Sequence, residues 1–166
     1  MSNVVNEPKI TNHMGALIFR VATEHRATWL ATIMDAAEKA GVEPEAFLRE
    51  GIFRCGTMHG LNYQAGMADK EDLRQFADRM FGEIGINAYE VDVVTKEKDT
   101  LEVEFHYCPL LKAWQKMGYD DEKLAKLCDI AMDGDRGIAA GLGCTIDITD
   151  TLAKGCPTCK IAYHKK

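Results

Sequence analysis

The run Phe105-His106-Tyr107-Cys108-Pro109-Leu110 holds the residues best placed to do chemistry. Pro109 suits the first position of a helix, which puts Cys108 at its cap. There, free backbone N–H groups and the helix dipole favour an anion, so the local argument predicts a lowered thiol pKa. His106 lies two residues earlier, on the same face as Cys108 if the strand continues that far. A cysteine beside a histidine is a nucleophile with its base, or half of a metal site. The plain alternative is a small buried hydrophobe next to a surface histidine.

Further candidates follow along the chain. Cys128 belongs to the apolar stripe Leu124, Leu127, Cys128, Ala131, where a core role competes with a functional one. Asp135 is seven residues on and keeps to that side if the helix persists, and a carboxylate on an apolar stripe needs a partner or a function. Asp129 and Asp133 fall on a neighbouring face, where Arg136 can pair with Asp133. The segment from Asp133 to Gly137 lacks the third acid and the terminal glutamate of a calcium loop. Cys156-Pro157-Thr158-Cys159 is a CxxC that precedes a strand, which fits a thioredoxin-type motif poorly. Zinc would need it to gather with Cys108 and Cys128 into a four-thiolate set, since the chain has no second CxxC. His25 sits on an apolar helical stripe, as a satisfied core histidine or facing a cleft, and His59 lies in a Gly-rich polar segment.

The elements that position these residues can be read from periodicity. Over residues 12–40, Met14, Ile18, Val21, Ala22, His25, Trp29, Ile33, Ala36 and Ala40 form one stripe, which predicts an amphipathic helix burying that face. Gly41 stops it. A second helix is expected from Glu43 to near Arg54, then a loop over residues 55–66 carrying His59, Asn62 and Tyr63. Asp69 is expected to cap a third helix, with Leu73, Phe76, Ala77 and Met80 on its buried side. The period then becomes alternating, with strands predicted over 87–95 and 100–107 joined by a turn at 96–99. In the second strand Leu101, Val103, Phe105 and Tyr107 share one face, and Glu102, Glu104 and His106 the other. Helices are expected over 109–117 and, continuously, from 121 towards 142, followed by short strands at 144–148 and 160–164. The fold class is α+β: N-terminal helices packed on a small antiparallel sheet, with two further helices inserted between strands. Residues 1–11 are expected to be a flexible lead-in and 12–166 a single domain.

Bulk properties narrow the partners. The 166 residues are 46% hydrophobic and 28% charged, with a net charge of −6. Phosphate neutralisation needs clustered Lys and Arg, and the only basic run is the terminal pair 165–166, so no nucleic-acid partner is expected. No apolar run reaches the ~18 residues of a membrane span, and the polar first residues do not resemble a signal peptide. Six scattered cysteines without a secretion signal read as reduced thiols in a cytoplasmic protein. The partner expected is a small molecule, with homo-oligomerisation left open.

The run from Phe105 to Trp114, then Leu127-Cys128-Asp129, then Asp150-Thr-Leu-Ala-Lys-Gly155 with Cys159 before the last strand, resembles the L-2-amino-thiazoline-4-carboxylic acid hydrolase family. The similarity is strong from about Thr100 to Tyr163 and limited to helical layout before that. It implies hydrolytic opening of a 2-aminothiazoline ring to N-carbamoyl-L-cysteine. Such a site needs a base for water, an acid or metal for the departing sulfur, and an anchor for the carboxylate. On this resemblance Cys108, His106, Asp135 and Asp133 are the catalytic candidates, and Cys128, Cys159, His25 and His59 would line the substrate. The helix N-terminus after Cys108 offers a second place for the carboxylate. The C-terminal half is also distantly similar to 4-vinyl-reductase-type binding domains, in which cysteines and an acid can hold zinc. Cys128 and Cys159 suit that comparison, whereas Ile148 and Thr151 stand where an acid and a further cysteine are wanted. Cys156 departs from the hydrolase pattern. A non-catalytic binding or sensing module is therefore the competing function, with zinc its conditional cofactor, held by Cys108, Cys128, Cys156 and Cys159.

Overall fold

In the computed structural model, which describes residues 3–165, seven helices and four strands form an α+β fold. The order is α1 (Met14–Lys39), α2 (Glu45–Ala65), α3 (Leu73–Met80), α4 (Glu83–Tyr89), β1 (Val91–Lys96), β2 (Thr100–Phe105), α5 (Pro109–Lys116), α6 (Asp121–Ala131), α7 (Asp133–Leu142), β3 (Thr145–Ile148) and β4 (Cys159–His164). The sheet runs β1-β2-β4-β3, antiparallel throughout. Alternation decides its faces. Leu101 and Val103 on β2 and Cys159, Ile161 and Tyr163 on β4 are buried, while Glu102, Glu104 and Lys160 point away. The register sets Phe105 opposite Cys159 and Leu101 opposite Tyr163. Inward side chains meet α3 and α7 in one apolar cluster, and α1, α5 and α6 enclose a second, with Phe105 and Met132 packed against both.

The first helix forms where its pattern predicts, but with the opposite face buried. Its core side is Ala16, Arg20, Thr23, Ala27, Ala31 and Met34, whereas Met14, Ile18, Val21, Trp29 and Ile33 are exposed. Small residues on the buried side let α5 come close enough for Trp114 Nε1 to donate to Ala27 O at 2.9 Å. Arg20 is buried because every donor group is used: Nε to Ala88 O, Nη1 to Ile10 O, and Nη2 to Asn87 O and to Glu90 Oε1. Glu90 stands at φ 53°, the one non-glycine residue in the left-handed region among those described. It turns α4 into β1, so the segment expected as a strand from residue 87 begins as helix.

Residues 55–66, expected as a loop, continue α2 to Ala65. Their glycines serve close helix packing. A Cβ on Gly60 would stand 2.3 Å from Ile138 O, and one on Gly137 would stand 2.2 Å from Phe53 O, so α2 and α7 lie backbone against backbone. The helix expected from 121 to 142 is broken at Met132 into α6 and α7. The lead-in expected to be flexible is tied to the body over its described part. Asn6 is buried, and Lys9 N and Ile10 N donate to Glu90 Oε1 at 2.7 and 2.8 Å. Met1, Ser2 and Lys166 lie outside the described residues. Among the latter, no helix is long and apolar enough to cross a membrane.

Candidate active site

Three elements bring the site together. Beyond β2, His106 N and Tyr107 N donate to Glu90 O and Tyr89 O at 3.1 and 3.0 Å, which carries the pairing one step past the strand. The chain then turns into α5 with Cys108 as its cap, extended at φ −131°, ψ 111°. Asn6 fixes that turn from both sides: its Nδ2 donates to Cys108 O and its Oδ1 accepts from Cys108 N, each at 2.9 Å. Cys128 projects from α6, Cys159 opens β4, and Asp135 lies in the first turn of α7. Cys108, Cys128, Cys159 and Asp135 all interact electrostatically, and Tyr89 and Arg26 join them through Cys108 and Asp135.

Burial governs the protonation states here. It pushes the Cys108 thiol up to about 11; the N–H groups of Leu110 and Leu111 pull the other way and lose, and no side-chain cap hydrogen bond forms. The expectation of a lowered Cys108 pKa is thus overturned: desolvation outweighs the helix N-terminus. Burial likewise raises Cys128 and takes Cys159 to about 12, although Leu152 N donates to the Cys159 sulfur at 3.2 Å. All three are neutral thiols at neutral pH. Burial also lifts the Asp135 carboxyl to about 6, against the opposing pull of Arg26 and Arg136. Asp135 forms no ion pair or hydrogen bond with another side chain among the described residues, and the Tyr163 hydroxyl that senses its charge is buried without a partner. Tyr89, Cys108 and Asp135 are each only partly buried.

The other candidates lie elsewhere. His106 points outward with Glu102 and Glu104, as the alternation places it, and pairs with Asp92 at 2.8 Å, whereas β2 ends at Phe105 and Cys108 does not continue that face. Asp133 accepts from Arg49 at 3.0 Å and Arg136 at 2.6 Å, with Asp129 bridging the same two arginines, so it clasps α2 to α6 and α7. His25 is exposed, edge-on to the Trp29 ring at 5.2 Å, and His59 is exposed on α2; neither is hydrogen-bonded to the cysteines. Cys156 is half-buried in the turn before β4. Among the described residues no three His, Cys, Asp or Glu side chains are arranged to hold a metal ion. The four-cysteine zinc set does not fit this arrangement.

Two residues of the site escape sequence reasoning. Tyr89 falls in the stretch read as strand, and Arg26 is not among the candidates its local sequence suggests. Arg26 is exposed at the edge of the cluster and makes no ion pair among the described residues, leaving its guanidinium free to meet an anion. The signal available for it is the spacing Arg20, Thr23, Arg26, Ala27, which puts it beside the buried face.

The sequence profile of the L-2-amino-thiazoline-4-carboxylic acid hydrolase family matches residues 20–163. No curated protein sequence matches the chain. In fold it is similar to a trafficking protein particle complex subunit 3 from Naegleria fowleri, solved covalently bound to palmitic acid. The TM-score is 0.52 at 14% identity, over 88% of this chain and 96% of that one.

Proposed function

The chain belongs to the L-2-amino-thiazoline-4-carboxylic acid hydrolase family, and on that premise we propose that it hydrolyses a small cyclic amidine, opening L-2-amino-thiazoline-4-carboxylate to N-carbamoyl-L-cysteine. The observation that carries this reading is Asp135, an enclosed carboxyl titrating near 6 beside a neutral Cys108 thiol, with an unpaired arginine at the edge. A carboxylate with that pKa is ionised at pH 7, yet basic enough to take a proton in a transition state.

As the water oxygen bonds to the amidine carbon, Asp135 removes one of its protons and the C=N pair moves to the ring nitrogen. The second water proton passes to that nitrogen. The carbon–sulfur bond then breaks with its electron pair on sulfur, and Asp135 returns the first proton to the departing thiolate. One water is consumed, and the products are a urea carbonyl and a free thiol. Arg26 anchors the substrate carboxylate. Cys108 donates a hydrogen bond from its thiol to the leaving sulfur, and Cys128 and Cys159 form the apolar wall.

The reaction in H₂¹⁸O tests this. The expected product is N-carbamoyl-L-cysteine with one ¹⁸O, in the carbamoyl carbonyl. Substrate bound but unchanged would instead favour a non-catalytic binding module, for which a cluster of three neutral thiols is equally suited.

A further inference from the structure

The apolar stripe of α1 is the largest surface feature that the site does not use. Met14 (69% exposed), Ile18 (64%), Val21 (69%), Trp29 (62%) and Ile33 (49%) line one side of a 26-residue helix. Their spacing of four, three, eight and four residues averages about 3.8 per turn, so the row winds roughly a quarter turn around the axis from Met14 to Ile33. At 1.5 Å per residue it offers a ridge about 30 Å long. These five side chains expose roughly 600 Å² of apolar surface, before Ala22 and His25 are added, the upper end of what a monomer shows and near the ~800 Å² per partner of a stable interface.

We propose that this face binds a second copy of the same chain, with the two α1 helices antiparallel across a two-fold axis near His25. A row that is apolar at both ends meets itself in that arrangement. Ile18 of one copy faces Ile33 of the other, and the Trp29 ring covers the smaller Val21 and Ala22. Charge favours this occupant. The chain carries −6 overall, so two copies approach closely only where carboxylates are absent. The stripe has none: Glu24 is drawn aside to Lys116, and Asp35 and Glu38 to Lys123. A bilayer surface is the poorer fit, since an interfacial helix attracts anionic lipid through rows of Lys and Arg, and the flanks of this helix are mixed in sign. The exposed apolar residues of α2 (Phe47, Phe53, Met58 and Leu61) form no comparable row, since Arg54 interrupts the face of Phe47, Met58 and Leu61 and Phe53 lies off it.

Sedimentation equilibrium of the full chain from 1 to 100 µM tests the interface. The wild type is expected at twice 18.5 kDa. Val21→Glu and Trp29→Glu, at exposed positions, keep the same circular dichroism and weaken association at least a hundredfold. Val94→Glu, on β1 and 58% exposed, leaves the mass doubled. Cysteines at Ile18 and Ile33 give a second reading, as the double variant forms an oxidised dimer that neither single variant forms. A wild type monomeric throughout the range overturns the proposal, whether or not it binds lipid vesicles. So does a dimer untouched by both glutamates, or one split by Val94→Glu alone.

Discussion

At pH 7 Asp135 carries a charge that its surroundings do little to stabilise. Its folded pKa of about 6 lies above the unfolded value of 3.8. Between those values the folded state binds more protons than the unfolded chain, so stability falls as pH rises through that window. The loss levels off above pH 6 at about 3 kcal/mol. Asp135→Asn is therefore expected to raise the urea midpoint at pH 7, by up to that free energy, and to change little below pH 4. A lower midpoint at pH 7 would mean that the carboxylate is structural. The same pKa sets the pH dependence of turnover, with kcat/KM falling about tenfold per unit below 6 as the base is lost. Cys108 gives an independent check. Its thiol titrates near 11, so iodoacetamide at pH 7.5 should modify exposed Cys55 first and Cys108 only slowly. Rapid labelling of Cys108 would contradict the desolvation argument. Its place at a cap was readable from Cys108-Pro109, but its protonation was not, because burial is set by Asn6, α6 and β4, all distant in sequence.

Among the elements, the alternating strand β2 was the most legible, since a period of two assigns faces without any knowledge of neighbours. The helices were harder. On α1 both the apolar stripe and the small-residue side suit a packed face, and what decides between them is which one α5 can approach. On α2 the glycines read as a loop signal, because a glycine that ends a helix and one that lets helices touch look alike in one sequence. Gly137→Ala places a methyl 2.2 Å from Phe53 O and should destabilise by about 3 kcal/mol or prevent folding. Gly51→Ala, in the same helix pair but with nothing within 4 Å, should stabilise by about 0.5–1 kcal/mol. Thermal melts of the two variants check the contrast. Equal effects would show that the α2–α7 approach is looser than described.

For the whole molecule, the fold gathers Cys108, Cys128 and Cys159 in the apolar cluster enclosed by α1, α5 and α6 and leaves the longest helix partly uncovered. Family membership was legible from Phe105 to Cys159 because that stretch supplies the cap cysteine, the α6 cysteine and the β4 cysteine in order. The composition of the site was only half legible. Cys108, Cys128, Cys159 and Asp135, which the fold gathers into one cluster, could be singled out as candidates, whereas Arg26 and Tyr89 join that cluster from α1 and the end of α4, where nothing local marks them. Conversely, His106 looked like a partner of Cys108, but β2 ends at Phe105 and takes Cys108 off the face that His106 shares with Glu102 and Glu104. The central claim is that Asp135 drives hydrolysis of an aminothiazoline carboxylate. It is tested most directly by assaying N-carbamoyl-L-cysteine formed from L-2-amino-thiazoline-4-carboxylate by wild-type protein and Asp135→Asn side by side at pH 7.5. Steady turnover by the wild type and a rate at least a hundredfold lower for a folded Asp135→Asn are expected. No product from the wild type, or equal rates from both, would contradict it.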